Sequence, residues 1–148
     1  MAGNAPCTLA NAWLRECVIY DTIPRMNFDL KAYVTQSGSS PYDEWFSSLD
    51  AVTACRVLQN VLRMAVGNFA NCKPIESLQV RGVFERVMDF GPGYRVYYGL
   101  DGATVVLLLI GGTKRTQRRD IAKALSYWQD YNNRKESSNE SSTGNSTR

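Results

Sequence analysis

From Asn27 the side chains alternate, with Phe28, Leu30, Ala32 and Val34 on one side and Asp29, Lys31 and Tyr33 on the other. A period of two closed by Gly38 predicts a half-buried strand. Beyond Pro41 the apolar spacing changes to three and four, through Trp45, Phe46, Leu49, Val52, Cys55, Leu58, Val61, Leu62 and Ala65, and stops at Gly67-Asn68. That pattern predicts a helix or a close helical pair, with Pro41 in the first turn and Gly67 at the stop, its apolar stripe serving as core. Residues 83–90 and 94–100 are β-rich runs joined by Gly91-Pro92-Gly93, a hairpin signal. After Asp101-Gly102, residues 104–110 are apolar on both faces, which predicts a central strand that Gly111-Gly112 ends. A last helix is expected from about Gln117, with Thr116 as a cap, Asp120 in its first turn, and Ile121, Ala124, Leu125 and Trp128 as its buried stripe. The order implies an α+β fold: an N-terminal strand, a helical hairpin, a three-stranded antiparallel meander completing a mostly antiparallel sheet, and a C-terminal helix. The helices are expected on one face of that sheet.

The 148 residues fit a single domain, and 44% hydrophobic with 21% charged residues suffices for a packed core. The longest apolar run, residues 103–110 with Thr104 inside it, is far short of the roughly 18 residues that span a bilayer. The start, MAGNAPCTLANAW, has neither a basic opening nor a sustained apolar stretch, so it does not read as a secretory signal, and a cytoplasmic protein is expected. Histidine is absent, which removes every mechanism in which imidazole carries the proton or ligates zinc. Cys7, Cys17, Cys55 and Cys72 form no C-x-x-C pair and are expected as reduced thiols. Residues 136–148 are rich in serine and asparagine without large apolar side chains, and a disordered polar tail is expected there.

Charge changes the picture in one segment. Residues 112–135 hold seven Lys and Arg against two Asp, a local +5 in a chain whose net charge is +3. With Arg95, Tyr94, Tyr97 and Tyr98 nearby in the hairpin, such a patch suits a polyanion with bases to stack, namely RNA. A solvated face on a final helix is the plainer reading of the same charge, and sheet packing is an equal reading of the tyrosines.

Gly91-Pro-Gly-Tyr-Arg-Val-Tyr-Tyr98, a buried strand, and then Gly111-Gly-Thr-Lys-Arg-Thr-Gln-Arg-Arg-Asp-Ile121 together resemble the RelE/HigB superfamily of type II toxins, in the branch of addiction-module killer proteins. Pro41-Tyr-Asp-Glu-Trp-Phe46, Gly67-Asn68 and Gly82-Val-Phe-Glu85 match that branch in order and spacing. The resemblance implies a RelE-like toxin domain over residues 26–135, with residues 1–25 an extension or a mis-assigned start. It further implies a ribosome-dependent mRNA endonuclease that needs no metal or other cofactor. Its partners would be a helix-turn-helix antitoxin, the ribosome and mRNA, with operator DNA reached only through the antitoxin complex.

In such enzymes the RNA's own 2′-hydroxyl attacks the adjacent phosphate, and cationic groups stabilise the added charge. The assignments that follow are Arg95 for phosphate, Lys114 for phosphate or leaving-group charge, Gln117 for orientation, and Tyr97 or Tyr94 for base stacking. Arg86, Arg115, Arg118 and Arg119 are the further RNA-binding candidates. Proton transfer would fall to Lys114, Tyr94, Tyr97 or Glu85. Strand parity puts Arg95 and Tyr97 on the open side of the sheet if Val96 is core. An arginine at 95 paired with Glu85 or Asp89 is the competing structural role, and helix capping is the better role for Asp120. One departure stands out: the branch runs Glu, apolar, Arg, apolar before the hairpin, whereas this chain runs Glu85, Arg86, Val87, Met88. A shift of one residue turns a strand side chain to the opposite face, so Arg86 should join Phe84 and Met88 unless a bulge intervenes. A chain lacking that active-site cation would bind its antitoxin without cleaving RNA.

Overall fold

The computed structural model describes residues 27–143, so the segment expected as an N-terminal extension, residues 1–25, lies outside the described residues. Strand β1 (Asp29–Ala32) is short; Val34, expected in its apolar row, is 47% exposed beyond its end. Two caps settle the helical stretch as a pair. Ser40 Oγ accepts from the Asp43 amide at 3.3 Å and opens α1 (Pro41–Ser47), with Pro41 in its first turn. Asp50 accepts from the Thr53 amide at 3.0 Å and opens α2 (Ala51–Ala65). Gly67, at φ 87°, follows the end of α2 in the left-handed region.

Strands β2 (Cys72–Pro74), β3 (Val83–Met88), β4 (Tyr94–Asp101) and β5 (Val105–Thr113) follow, then a 3-10 turn (Lys114–Thr116) and α3 (Gln117–Thr143). The sheet order is β1-β5-β4-β3-β2; β1 runs parallel to β5 and every other pairing is antiparallel. The fold is therefore α+β, a five-stranded mostly antiparallel sheet with a C-terminal helix. No helix among the described residues is long and apolar enough to cross a membrane.

Helices cover both faces of the sheet, not one. Tyr42, Val57, Val61 and Met64 of α1 and α2 pack with Met88, Val96, Tyr98, Val106 and Leu108. On the opposite face Ala124 and Trp128 of α3 pack with Val83, Tyr97, Leu107, Leu109 and Ile110. The doubly apolar run 104–110 is the sequence record of this arrangement: Val106 and Leu108 feed one core, and Leu107, Leu109 and Ile110 the other.

Gly111 and Gly112 do not end β5 but let it continue under two side chains. A Cβ on Gly111 would lie 2.1 Å from the Trp45 ring, and one on Gly112 would lie 1.9 Å from Asp120 Oδ2. Strand β5 thus stays paired with β4 through Thr113 while α1 and α3 press on it from either side. A bulge at Tyr97/Tyr98 adjusts the register midway. Helix α3 runs on through Thr143, so residues 136–143 of the tail expected to be disordered are helical, continuing a helix already anchored on the sheet. Of the cysteines, Cys72 is a free thiol, and Cys7 and Cys17 lie outside the described residues.

Candidate functional site

The candidate residues meet where β3, β4 and the entrance of α3 converge. Val96 is fully buried against α1 and α2, so parity sends Arg95 and Tyr97 to the α3 face, as expected. That face is roofed rather than open. Tyr97 is 0% exposed, packed in the core under α3, and its hydroxyl has no hydrogen-bond partner among the described residues. Burial pushes its pKa up, and the charges of Glu85 and Asp120 add to the rise. A base cannot reach it, so the role in stacking or proton transfer expected of Tyr97 does not fit this position.

Glu85, 1% exposed, is the hub. Its Oε1 lies 3.0 Å from Arg95 Nε and accepts from Gln117 Nε2 at 2.7 Å. Its Oε2 lies 3.7 Å from Lys73 Nζ, whose side chain is 60% exposed. The pairing of Arg95 with Glu85 is thus realised, in a buried diagonal across β3 and β4, since Arg95 stands in register with Val87. Arg95 Nη1 also donates to the Tyr94 carbonyl at 3.1 Å.

Lys114 joins Arg95 at the hairpin turn. Its amide donates to the Gly93 carbonyl at 2.7 Å. A Cβ on Gly93 would be 3.5 Å from Lys114 Cβ and 3.6 Å from Arg95 Nη1, and the residue itself sits at φ 78°. Glycine there meets a backbone and a space requirement at once, with the base of the Lys114 side chain and the Arg95 guanidinium both beside it. Thr116, expected as the cap of the last helix, closes the 3-10 turn: the Thr113 amide donates to its Oγ1 at 3.1 Å, and that hydroxyl donates to Asp120 Oδ2 at 2.5 Å. Asp120, 4% exposed, therefore fixes the helix entrance, in keeping with the capping reading.

The remaining candidates divide sharply. Arg115, Arg118 and Arg119 are exposed and line a shallow concavity with Thr116 and Ala122 beside Lys114. Tyr94 is half-buried on the other face of the sheet, its ring 5.1 Å from that of Phe90. Arg86 is 2% exposed on the α2 face, donating to the Asn68 carbonyl at 2.9 Å and to Asn60 Oδ1 at 3.2 Å. No bulge rescues it, and the RNA contact expected of Arg86 is ruled out by its burial on the face away from Arg95. Lys73 carried no signal in the sequence, because its place beside Glu85 depends on β2, a three-residue strand.

No family model matches the chain. It is 37% identical over 84 residues to an uncharacterized protein of Haemophilus influenzae (strain ATCC 51907 / DSM 11121 / KW20 / Rd), a match covering 56% of this chain and 81% of that protein. The chain belongs to that protein's family. Among solved structures, the toxin-antitoxin complex RelBE2 from Mycobacterium tuberculosis superposes with a TM-score of 0.37 and 19% identity, covering 62% of this chain and 100% of that one.

Proposed function

We propose that this protein is the toxin of a type II toxin–antitoxin module, an endoribonuclease that inhibits translation by acting on ribosome-presented mRNA and is neutralised by a helix-turn-helix antitoxin. The observation that carries this reading is that the Lys114 backbone and the Arg95 guanidinium both abut Gly93, with Gln117 linked to Arg95 through Glu85. The two-part motif that resembles the RelE/HigB superfamily supplies these residues. Lys114 stands exposed at the rim and offers its charge to the scissile phosphate. Arg95 lies just behind it and adds a second, less hydrated charge, while Gln117 orients the group that Arg95 holds. Arg115, Arg118 and Arg119 track the flanking backbone of the strand. The 2′-hydroxyl of the RNA is the nucleophile, so the protein needs to position and neutralise rather than to supply an attacking side chain.

Inducing the chain in a bacterium is expected to arrest growth and cut transcripts, and Lys114→Ala to relieve both, with a loss on the order of a hundredfold in cleavage rate. Unaltered growth with intact transcripts would sink the reading.

A second reading is favoured by the burial of Arg86 and by the hold of Glu85 on Arg95. In it the protein no longer cleaves, and acts as an antitoxin-binding partner that tunes repression of its own operon. It predicts tight antitoxin binding with no RNA cleavage even when ribosomes are present.

A further inference from the structure

Glu85 is the one buried carboxylate at the site for which the preceding reading has no use. Its Oε1 forms an ion pair with Arg95 Nε at 3.0 Å and accepts a hydrogen bond from Gln117 Nε2 at 2.7 Å, so it engages both the cation assigned to an RNA phosphate and the amide assigned to orientation. A carboxylate oxygen and a phosphate oxygen make the same demands on a guanidinium and an amide: both are anionic acceptors. Its Oε2 faces a second cation, the exposed Lys73 of edge strand β2, across 3.7 Å. One buried anion is therefore shared between an inner cation and an outer one. Arg95 keeps 8% exposure at the hairpin turn, so it is not sealed from an incoming ligand.

We propose that Glu85 is the resident anion of a phosphate-receiving site: an RNA phosphate takes its place on Arg95 and Gln117, and Lys73 holds the displaced carboxylate. The inference rests on the RNA-binding reading above and deepens it, making Glu85 and Lys73 positioning residues. The exchange conserves pairing. Arg95 trades one anion for another, and the carboxylate trades Arg95 for Lys73, so no buried charge is stranded. No covalent bond changes. The phosphate-binding groups are held preformed and neutralised in the empty protein, and they engage only an anion able to displace a carboxylate.

The test titrates the full chain, labelled with nitrogen-15, with a short single-stranded RNA oligonucleotide and, separately, with inorganic phosphate. The Arg95 Nε and Gln117 side-chain amide resonances are expected to move with RNA, together with the backbone amides of Lys114 and Arg115. If the helix-entrance amides move while Arg95 and Gln117 stay, the exchange is overturned and RNA binding stands; if nothing moves, both fail. A response to inorganic phosphate but not to RNA overturns RNA as the source of the phosphate. In parallel, Glu85→Gln should bind the oligonucleotide about tenfold tighter, because the competing anion is gone. Lys73→Met should bind about tenfold more weakly in the native background and make no difference in the Glu85→Gln background. An equal loss in both backgrounds means that Lys73 touches RNA itself, and overturns its role as receiver. Should Glu85→Gln fail to fold, the native titration decides the exchange.

Discussion

Arg86 is a cation in a core and has no carboxylate partner among the described residues. Its guanidinium donates to a carbonyl and to Asn60, lies 3.8 Å from Cys72 Sγ, and leaves Nε without a partner among the described residues. Burying such a charge is unfavourable unless every donor is met, so the position has been fitted around it only in part. Arg86→Ala would empty a large volume and orphan Asn60 Oδ1, and a loss of about 3 kcal/mol is expected in urea denaturation. RNA affinity should not change, because the side chain faces α2 and not the α3 entrance; a matching loss of RNA binding would show that Arg86 belongs to the site after all. Its facing was legible from strand parity alone, as was that of Arg95. What parity cannot supply is the third dimension: nothing local to Tyr97 tells that α3 lies over it, and nothing local to Glu85 tells that Arg95, Gln117 and Lys73 arrive from three different elements.

At the scale of elements, α3 is held at both ends, by Asp120 at its entrance and by a strap of ring and charge contacts further along. Tyr131 Oη donates to Asp101 Oδ2 at 2.5 Å, Lys135 pairs with the same carboxylate, and the Trp128 and Tyr131 rings stack at 5.8 Å. Tyr33 Oη donates to Asp130 Oδ2 at 2.5 Å, and the Arg134 guanidinium lies over the Tyr33 ring. The hydrogen bonds from Lys135 and Tyr131 hold the Asp101 carboxyl below its ordinary range, while burial and the bonds to Asp130 and Asp101 push Tyr33 and Tyr131 up to about 12. The signs differ. The depressed Asp101 contributes stability above the ordinary carboxylate pKa and loses it as pH falls through the lower folded value. The raised tyrosines contribute fully below 10.0 and lose that contribution as pH climbs toward about 12. Protection factors for hydrogen exchange of the amides in residues 127–135 should therefore be highest near neutral pH and fall toward both extremes. Tyr131→Phe should flatten the alkaline limb and Asp101→Asn the acid one; limbs unchanged in both variants would refute the strap. The helices and the long strands were legible because each repeats its period several times. Strand β2 was not, since three residues ending in proline carry no period, and the parallel pairing of β1 with β5 joins residues about seventy apart. Gly111-Gly112 misled for a physical reason: glycine marks a stop where the chain turns and a contact where another ring presses on it.

Across the whole molecule, charge and apolar surface are sorted by position. The two cores fill both faces of the sheet, and an excess of Lys and Arg sits at the entrance of α3, beside the buried Arg95. If Lys114, Arg115, Arg118 and Arg119 all lie against the phosphate backbone, the dependence of log affinity on log salt should flatten by about 0.7 for each one replaced by alanine. An unchanged slope would return those arginines to the role of a solvated helix face. The sharper question is whether the site lacks a cation that its architecture has room for. Val87 is half-buried and stands directly across from Arg95 in the β3–β4 register, on the face that carries Glu85. An arginine there would sit one strand spacing from Arg95 and within reach of Glu85, so the existing carboxylate could hold it as it holds its neighbour. If the native chain is an active endonuclease, Val87→Arg adds little, because Arg95 and Lys114 already neutralise the phosphate. If the chain only binds its antitoxin, Val87→Arg is expected to bring cleavage where there was none, read as transcript cutting in a ribosome-containing extract, while antitoxin affinity holds. Absence of cleavage in both the native chain and the variant, with RNA bound by each, would place the deficit in proton transfer rather than in charge.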